Sequence, residues 1–322
     1  MIPIRDTIQS RNYPLVNSII LGMNVLLYMV QKAQGEALNS FILMYGLVPV
    51  RYSLPEIASQ FSFGQQVLPF FSFMFLHGGF WHLLGNMWSL YIFGDNVEDR
   101  LGSFRYLVFY LLCGFLSGLS HLFINWQSNT PTIGASGAIA GVMGAYFLLY
   151  PKSRILTLIP IFFIPYFIEL PAFFFLGLWF VLQFISAAGT GSQGAGIAWW
   201  AHIGGFLSGM IFLKLFLRVP ELGITQELRQ KTAKKKTHHL QAIKVTGFPN
   251  DPHLYGSIGI TPVEARSGTR KLVNIPWGFQ KRLFRINVPS GIRDGTNLRL
   301  AGMGKRADDM TQGDLYLKVT IQ

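Results

Sequence analysis

"TIGASGAIAGVMGAYFLLY", residues 132–150, is apolar enough to lie in a membrane, yet Ser136 stands near its start between Gly134, Ala135 and Gly137. Polar side chains inside a bilayer are costly and by default point to function. Gly137, Gly141 and Ala145 recur every fourth residue, so they line one helical face and let a second helix approach closely. A matching stripe, Ala201, Gly205 and Gly209, occurs in "AWWAHIGGFLSG" (198–209) beside His202. The two stripes predict two helices in close contact, each carrying one polar group.

The whole chain has a membrane composition. Of 322 residues, 50% are hydrophobic, 15% aromatic and only 13% charged, whereas soluble domains carry about 25% charged residues. A bilayer core needs about 20 largely apolar residues per helix. Six stretches qualify, at about 14–31, 72–95, 104–126, 133–150, 170–188 and 197–217. The first follows Arg5 and Arg11 but no A-x-A-like cleavage site follows it in "QKAQGEALNS", so it is read as a permanent span. Basic residues favour the cytoplasmic side. Arg5, Arg11, Arg100, Arg105, Lys152, Arg154, Lys214 and Arg218 fall on one side, and only Lys32 and Arg51 on the other. The expectation is a multi-pass protein of the cell membrane with both termini cytoplasmic. The loop 33–71, with "FILMYGLVPV" and "FSFGQQ", then lies along the outer surface.

Charge divides the chain again. Residues 1–218 hold ten Lys/Arg against seven Asp/Glu, and residues 219–322 seventeen against eight. After Pro220, "QELRQKTAKKKTHHLQ" reads as a solvated basic linker whose lysine run touches anionic headgroups, with His238 and His239 solvated rather than metal-bound. From about 243, short alternating runs ("LYGSIGI", "KLVNI", "RLFRINV", "NLRLA", "DLYLKVTI") are separated by turn signals. The predicted architecture is an all-α polytopic domain of six transmembrane helices over 1–218, a linker over 219–242, and a small all-β soluble domain over 243–322.

Chemistry concentrates in the membrane part. The single cysteine, Cys113, excludes an intramolecular disulfide framework and sits in an apolar run, which suits packing. His121 is isolated on the third span and is read as structural. His82 and Asn86 are four apart in "HGGFWHLLGNMW", hence on one helical face. The second, fourth and sixth spans run in the same direction, from outside to inside, so their early residues share a depth. With a rise of about 1.5 Å per residue, Ser136, His202, His82 and Asn86 all fall in the outer half of the bilayer, near water. A nucleophile and its base must come within about 2.6–3.2 Å, and the glycine stripes permit that. A serine can also back-bond to its own helix, and glycine-rich helices occur in transporters. A transporter, however, is expected to carry ionisable residues deep in several spans, and Asp95 and Glu169 lie near span ends.

At these residues the chain resembles the rhomboid family of intramembrane serine proteases, over roughly 14–217. "GASG", "HGGFWHLLGN" and "AHIGGFLSG" carry the resemblance. It implies Ser136 as nucleophile and His202 as general base, a dyad without an aspartate. It also implies oxyanion stabilisation by His82, Asn86 and the Ser136 backbone N–H, with His77 and Gly134 in supporting positions beside the close-packing Gly137 and Gly205. Substrates are then transmembrane segments of other proteins, no metal or organic cofactor is needed, and nucleic acid is not a partner. Where many members carry Trp-Arg ahead of the first histidine, this chain has Leu68 and Pro69.

The tail resembles the carboxy-terminal peptide-binding β domain of J-protein co-chaperones in "ITPVEARSGTRKLVNIP", "RINVPSGIRDGTNLRLAGMGK" and "GDLYLKVTI". That likeness implies an extended peptide received by strand addition, or alternatively an assembly domain. A rhomboid-like membrane client binder without catalysis is the other functional class. Such a binder has no need of both Ser136 and His202.

Overall fold

The computed structural model describes all residues except 9, 162–163, 190–197, 221–222, 233–239, 244, 248–250, 278–279, 306–311 and 322. His238, His239 and the lysine run 234–236 therefore lie outside the described residues. The chain forms two compact units, Met1–Lys234 and Lys235–Gln322.

The first unit is built on six helices: α1 (Leu15–Lys32), α2 (Phe80–Leu101), α3 (Ser103–Ile124), α4 (Ser136–Leu149), α5 (Ala172–Gly189) and α6 (Trp199–Arg218). Each falls in one of the six apolar stretches, but the six-span count does not follow. Four of them, α1, α3, α5 and α6, are long and apolar enough to cross a membrane, and a fifth span arises only if Phe63–Phe75 is joined to α2 across a 78° bend. The predicted span at 72–95 begins late, at Phe80, and runs on through Asp95, Glu98, Asp99 and Arg100, which lower its hydropathy. The fourth stretch yields only 14 helical residues, or about 21 Å.

Two of the charges that end α2, Glu98 and Asp99, accept from backbone amides in the segment around the start of α1. Pro14 offers no side-chain cap to α1. Instead the buried Glu98 carboxylate accepts from the Val16 and Asn17 amides at 3.1 and 2.8 Å and from Ser103 Oγ at 2.6 Å. A carboxylate at a helix N-terminus satisfies donors that have no intrahelical partner. Asn17 is tied in by the Tyr106 hydroxyl, which donates to its Oδ1 at 2.8 Å.

A second departure from the all-α expectation is a three-stranded antiparallel sheet, β1 (Ile2–Asp6), β2 (Arg154–Ile161) and β3 (Ile164–Pro171), in the order β1-β2-β3. The predicted loop between the fourth and fifth spans is thus a hairpin, and the N-terminal strand pairs with it, Ile2 opposite Leu158. Asp6 ends β1 and accepts from Asn96 Nδ2 at 2.9 Å and from the Tyr146 hydroxyl. Burial, opposed by the Tyr146 hydrogen bond and reinforced by nearby Asp95, pushes its carboxyl up from 3.8 to about 7. Because the folded state holds the proton more tightly, this stabilisation is fully present below pH 3.8 and is lost as pH rises through about 7. The melting temperature of the solubilised protein should fall over that window, and Asp6→Asn should remove part of the fall, by a few degrees. Identical pH slopes for the two proteins would refute this.

The loop 33–75 is anchored from within. Arg51, buried in a short helix (Val50–Ser53), donates to the carbonyls of Met44 and Leu43 and stacks over Phe61 at 4.2 Å. Arg51 thereby ties together the part of the loop that leads to Leu68 and Pro69.

The segment read as a solvated linker is partly folded. Helix α7 (Gly223–Thr232) packs within the first unit, with Thr225 buried and Arg229 Nη2 donating to the carbonyls of Asp99 and Arg100 at 3.2 and 3.3 Å. Those are C-terminal carbonyls of α2, where a cation is favoured.

The second unit is β-rich. Strands β4 (Leu240–Ala242), β6 (Thr269–Trp277) and β7 (Gln280–Val288) form one sheet, and β5 (Leu254–Ile260), β9 (Leu315–Ile321) and β8 (Asn297–Leu300) another, in the orders β4-β6-β7 and β5-β9-β8. Alternation in β9 buries Leu315, Leu317 and Val319 with Ile258 and Val273. A short helix, α8 (Pro262–Ser267), begins with a capping box between Thr261 and Glu264. Glu264 also pairs at 2.7 Å with Lys271, whose side chain is fully buried.

Candidate active site

Helices α4 and α6 pack more closely than side chains allow. A Cβ on Gly205 would overlap the carbonyl oxygen of Gly137, and one on Gly209 that of Gly141. The two stripes thus meet backbone to backbone, as small residues in membrane helices permit. Cys113 is buried against the same seam, next to Gly141.

At the start of both helices this contact brings two polar side chains together. Ser136 Oγ lies 2.7 Å from His202 Nε2. The preceding turn is specialised: Gly134 has φ +132°, and a Cβ there would meet the His82 ring at 2.9 Å and Ser136 Oγ at 3.6 Å. Only glycine suits that backbone and that gap. Gly134 N donates to Phe73 O at 2.8 Å, tying the turn to the segment before α2. Ala135 provides no side-chain cap to α4, so the first amides of that helix remain donors without an intrahelical acceptor.

The other predicted residues divide. His82 borders the same gap across Gly134, its Nδ1 accepting from Gly78 N at 3.3 Å. Asn86 lies one turn further along α2, 7% exposed, and among the described residues its buried Nδ2 has no hydrogen-bond partner. His77 is set back, its ring edge-on to His82 at 5.2 Å. It fixes the turn through its backbone, whose N donates to Gln31 Oε1 at 3.0 Å and whose O accepts from Gln31 Nε2 at 2.7 Å. His121 is bound on its own helix, its Nδ1 3.4 Å from Asn125 Nδ2. Among the described residues no cluster of three or more His, Cys, Asp or Glu side chains gathers as a metal site.

One contact was missed in the sequence reading. Gln183 Oε1, on α5, lies 2.8 Å from His202 Nδ1. Trp179 and Trp199 flank the same imidazole, with ring centroids at 5.9 and 6.1 Å. The available signal was a lone glutamine within a largely apolar span, a neutral group that a search restricted to histidines and charges passes over.

A hydroxyl and an imidazole from two helices, paired beside an unpartnered amide donor, form a constellation suited to acyl transfer. Residues 64–219 match the family model for the Rhomboid domain. The chain carries a rhomboid domain. Residues 216–322 match the DnaJ C terminal domain. Similar proteins include Rhomboid protein 1, mitochondrial, of Saccharomyces cerevisiae, 29% identical over 43% of this chain and 38% of its own length. RHOMBOID-like protein 6, mitochondrial, of Arabidopsis thaliana is 34% identical over 47% and 44%. Rhomboid protease GluP of Bacillus subtilis is 27% identical over 65% and 36%. The chain thus spans less than half the length of these relatives. The rhomboid domain makes this a membrane protein with several spans.

Proposed function

We propose that the protein is an intramembrane serine protease that hydrolyses peptide bonds in or near transmembrane segments of other membrane proteins. The 2.7 Å contact between Ser136 Oγ and His202 Nε2, made across two helices, carries this assignment. Ser136 Oγ attacks the scissile carbonyl carbon while His202 Nε2 takes the hydroxyl proton. The resulting oxyanion accepts hydrogen bonds from Asn86 Nδ2, the Ser136 N–H and His82. Collapse breaks the C–N bond, and His202 returns the proton to the leaving amine. Water then repeats the sequence on the acyl-enzyme and frees Ser136. With both termini cytoplasmic, cleavage occurs in the outer half of the bilayer. The match of the tail to the DnaJ C terminal domain supports a role in holding extended segments of client polypeptides.

Two relatives of the rhomboid domain that are named as proteases, GluP and the putative protease YdcA of Bacillus subtilis, also support the reading. The test is a fluorophosphonate probe on the purified full chain, with the adduct mapped by mass spectrometry, alongside cleavage of a single-span reporter. Labelling at Ser136 and a cut in the reporter are expected. An unlabelled Ser136 together with an intact reporter would leave the non-catalytic binder as the function.

The free Asn86 amide makes a further prediction. A preorganised donor to an oxyanion is commonly worth about 10²- to 10³-fold in kcat. Asn86→Ala should therefore lower kcat by about that factor with KM nearly unchanged, measured on the same reporter. A change confined to KM would remove Asn86 from the oxyanion site.

A further inference from the structure

We infer that Gln183 is a positioning residue that fixes the tautomer and orientation of His202, an inference that rests on the peptidase chemistry proposed above. A neutral imidazole carries one proton on either of two nitrogens, and only the tautomer with hydrogen on Nδ1 leaves Nε2 free to act as a base toward Ser136. The choice is made by the hydrogen bond at the other nitrogen. Here that partner is Gln183 Oε1, 2.8 Å from Nδ1.

The amide itself is held in the required sense. Gln183 Nε2 donates to Trp179 O, one turn earlier on α5, at 3.3 Å. With the NH₂ group engaged along its own helix, the oxygen faces the imidazole. A carbonyl oxygen only accepts, so the hydrogen must sit on Nδ1. His202 Nε2 is then an acceptor, and the Ser136 hydroxyl donates to it across 2.7 Å. Gln183 is 7% exposed, so little water competes for either bond.

The same contact serves the imidazolium that forms when Ser136 gives up its proton. The positive ring needs an acceptor at Nδ1, and in apolar surroundings an unmet donor is expensive. Three helices, α4, α5 and α6, are therefore joined in one chain of hydrogen bonds, Ser136 to His202 to Gln183. The arrangement occupies the place of a Ser-His-acid triad, with a neutral amide where a carboxylate stands in that design. An amide supplies the orientation without burying a charge, which suits a span with no ionisable residue of its own between Ala172 and Gly189.

The test compares the full-length protein with Gln183→Leu and Gln183→Glu. Gln183→Leu keeps the volume but removes the acceptor, and should lower kcat by about 10- to 100-fold, the usual weight of a hydrogen bond to a charged group, while KM stays within twofold. Gln183→Glu restores an acceptor, now charged, and should recover most of the activity while moving the acid limb of the kcat/KM profile to higher pH. A merely structural role would not move that limb. ¹⁵N shifts of the His202 ring give a readout independent of turnover: a protonated Nδ1 and an unprotonated Nε2 in the wild type, and a mixture in Gln183→Leu. Wild-type kcat in Gln183→Leu, an unmoved acid limb in Gln183→Glu, or the same ¹⁵N pattern in all three proteins would overturn the inference. A wild type that shows the fixed tautomer but neither cleaves nor labels would overturn the protease reading and leave the positioning of His202 by Gln183 standing.

Discussion

Ser136→Ala is expected to abolish cleavage of a transmembrane reporter, with a loss of at least about 10⁴-fold, and His202→Ala to do nearly the same. The two losses should not add. Without the hydroxyl no acyl-enzyme forms, and without the imidazole the hydroxyl keeps its proton, so either change removes the whole covalent route. The double variant should be no worse than either single one within a few-fold. The measurement is the rate of reporter cleavage by purified protein in liposomes, with unfolding temperature as the control for assembly. Both side chains are only half-buried at the ends of their helices, so truncation leaves the Gly137–Gly205 seam in place. A Ser136→Ala protein cleaving at the wild-type rate would end the proposed chemistry.

The second large effect is expected far from any reacting atom. Gly205→Leu should reduce turnover by at least about 10²-fold, because its first side-chain carbon would occupy the position of the Gly137 carbonyl oxygen. Helices α4 and α6 must then separate, and misplacement by about 1 Å is enough to cost 10²-fold where two groups must meet. Overpacking also destabilises, commonly by about 1–3 kcal/mol. Gly205→Ala should already show a substantial part of the loss. Gly22→Leu is the control, since nothing lies within 4 Å of the Cβ that Gly22 on α1 would carry, and its activity should be unchanged. Normal cleavage by Gly205→Leu would show that the two helices can part without consequence.

The pairing of Ser136 with His202 was legible in the glycine spacing of the two stretches, because helical periodicity places each stripe, with its polar neighbour, at a predictable position. The β strands of the second unit were legible for a similar reason: one buried face leaves an alternating pattern, as in "LYGSIGI", which coincides with β5. The hairpin over Arg154–Pro171 shows no such alternation. "RILTLIPI" and "IPYFIELP" are almost continuously apolar, and such a run signals burial without naming its secondary structure. The bounds of α2 were obscured by its four charged residues, of which Glu98 caps α1, a use that depends on tertiary contact. Gln183 was hidden for a different reason. A neutral amide signals nothing until a partner 19 residues away is brought beside it, and that depends on how α5 and α6 turn toward each other.

The N-terminal strand bears on how the protein is made. Ile2 leaves the ribosome about 150 residues ahead of its partner Leu158. At about 5–20 residues per second, that is a wait of roughly 8 to 30 s, during which α1 to α4 emerge. The strand is therefore a late clasp, closed after translation has passed the hairpin, and until then β1 has no β2 edge to pair with.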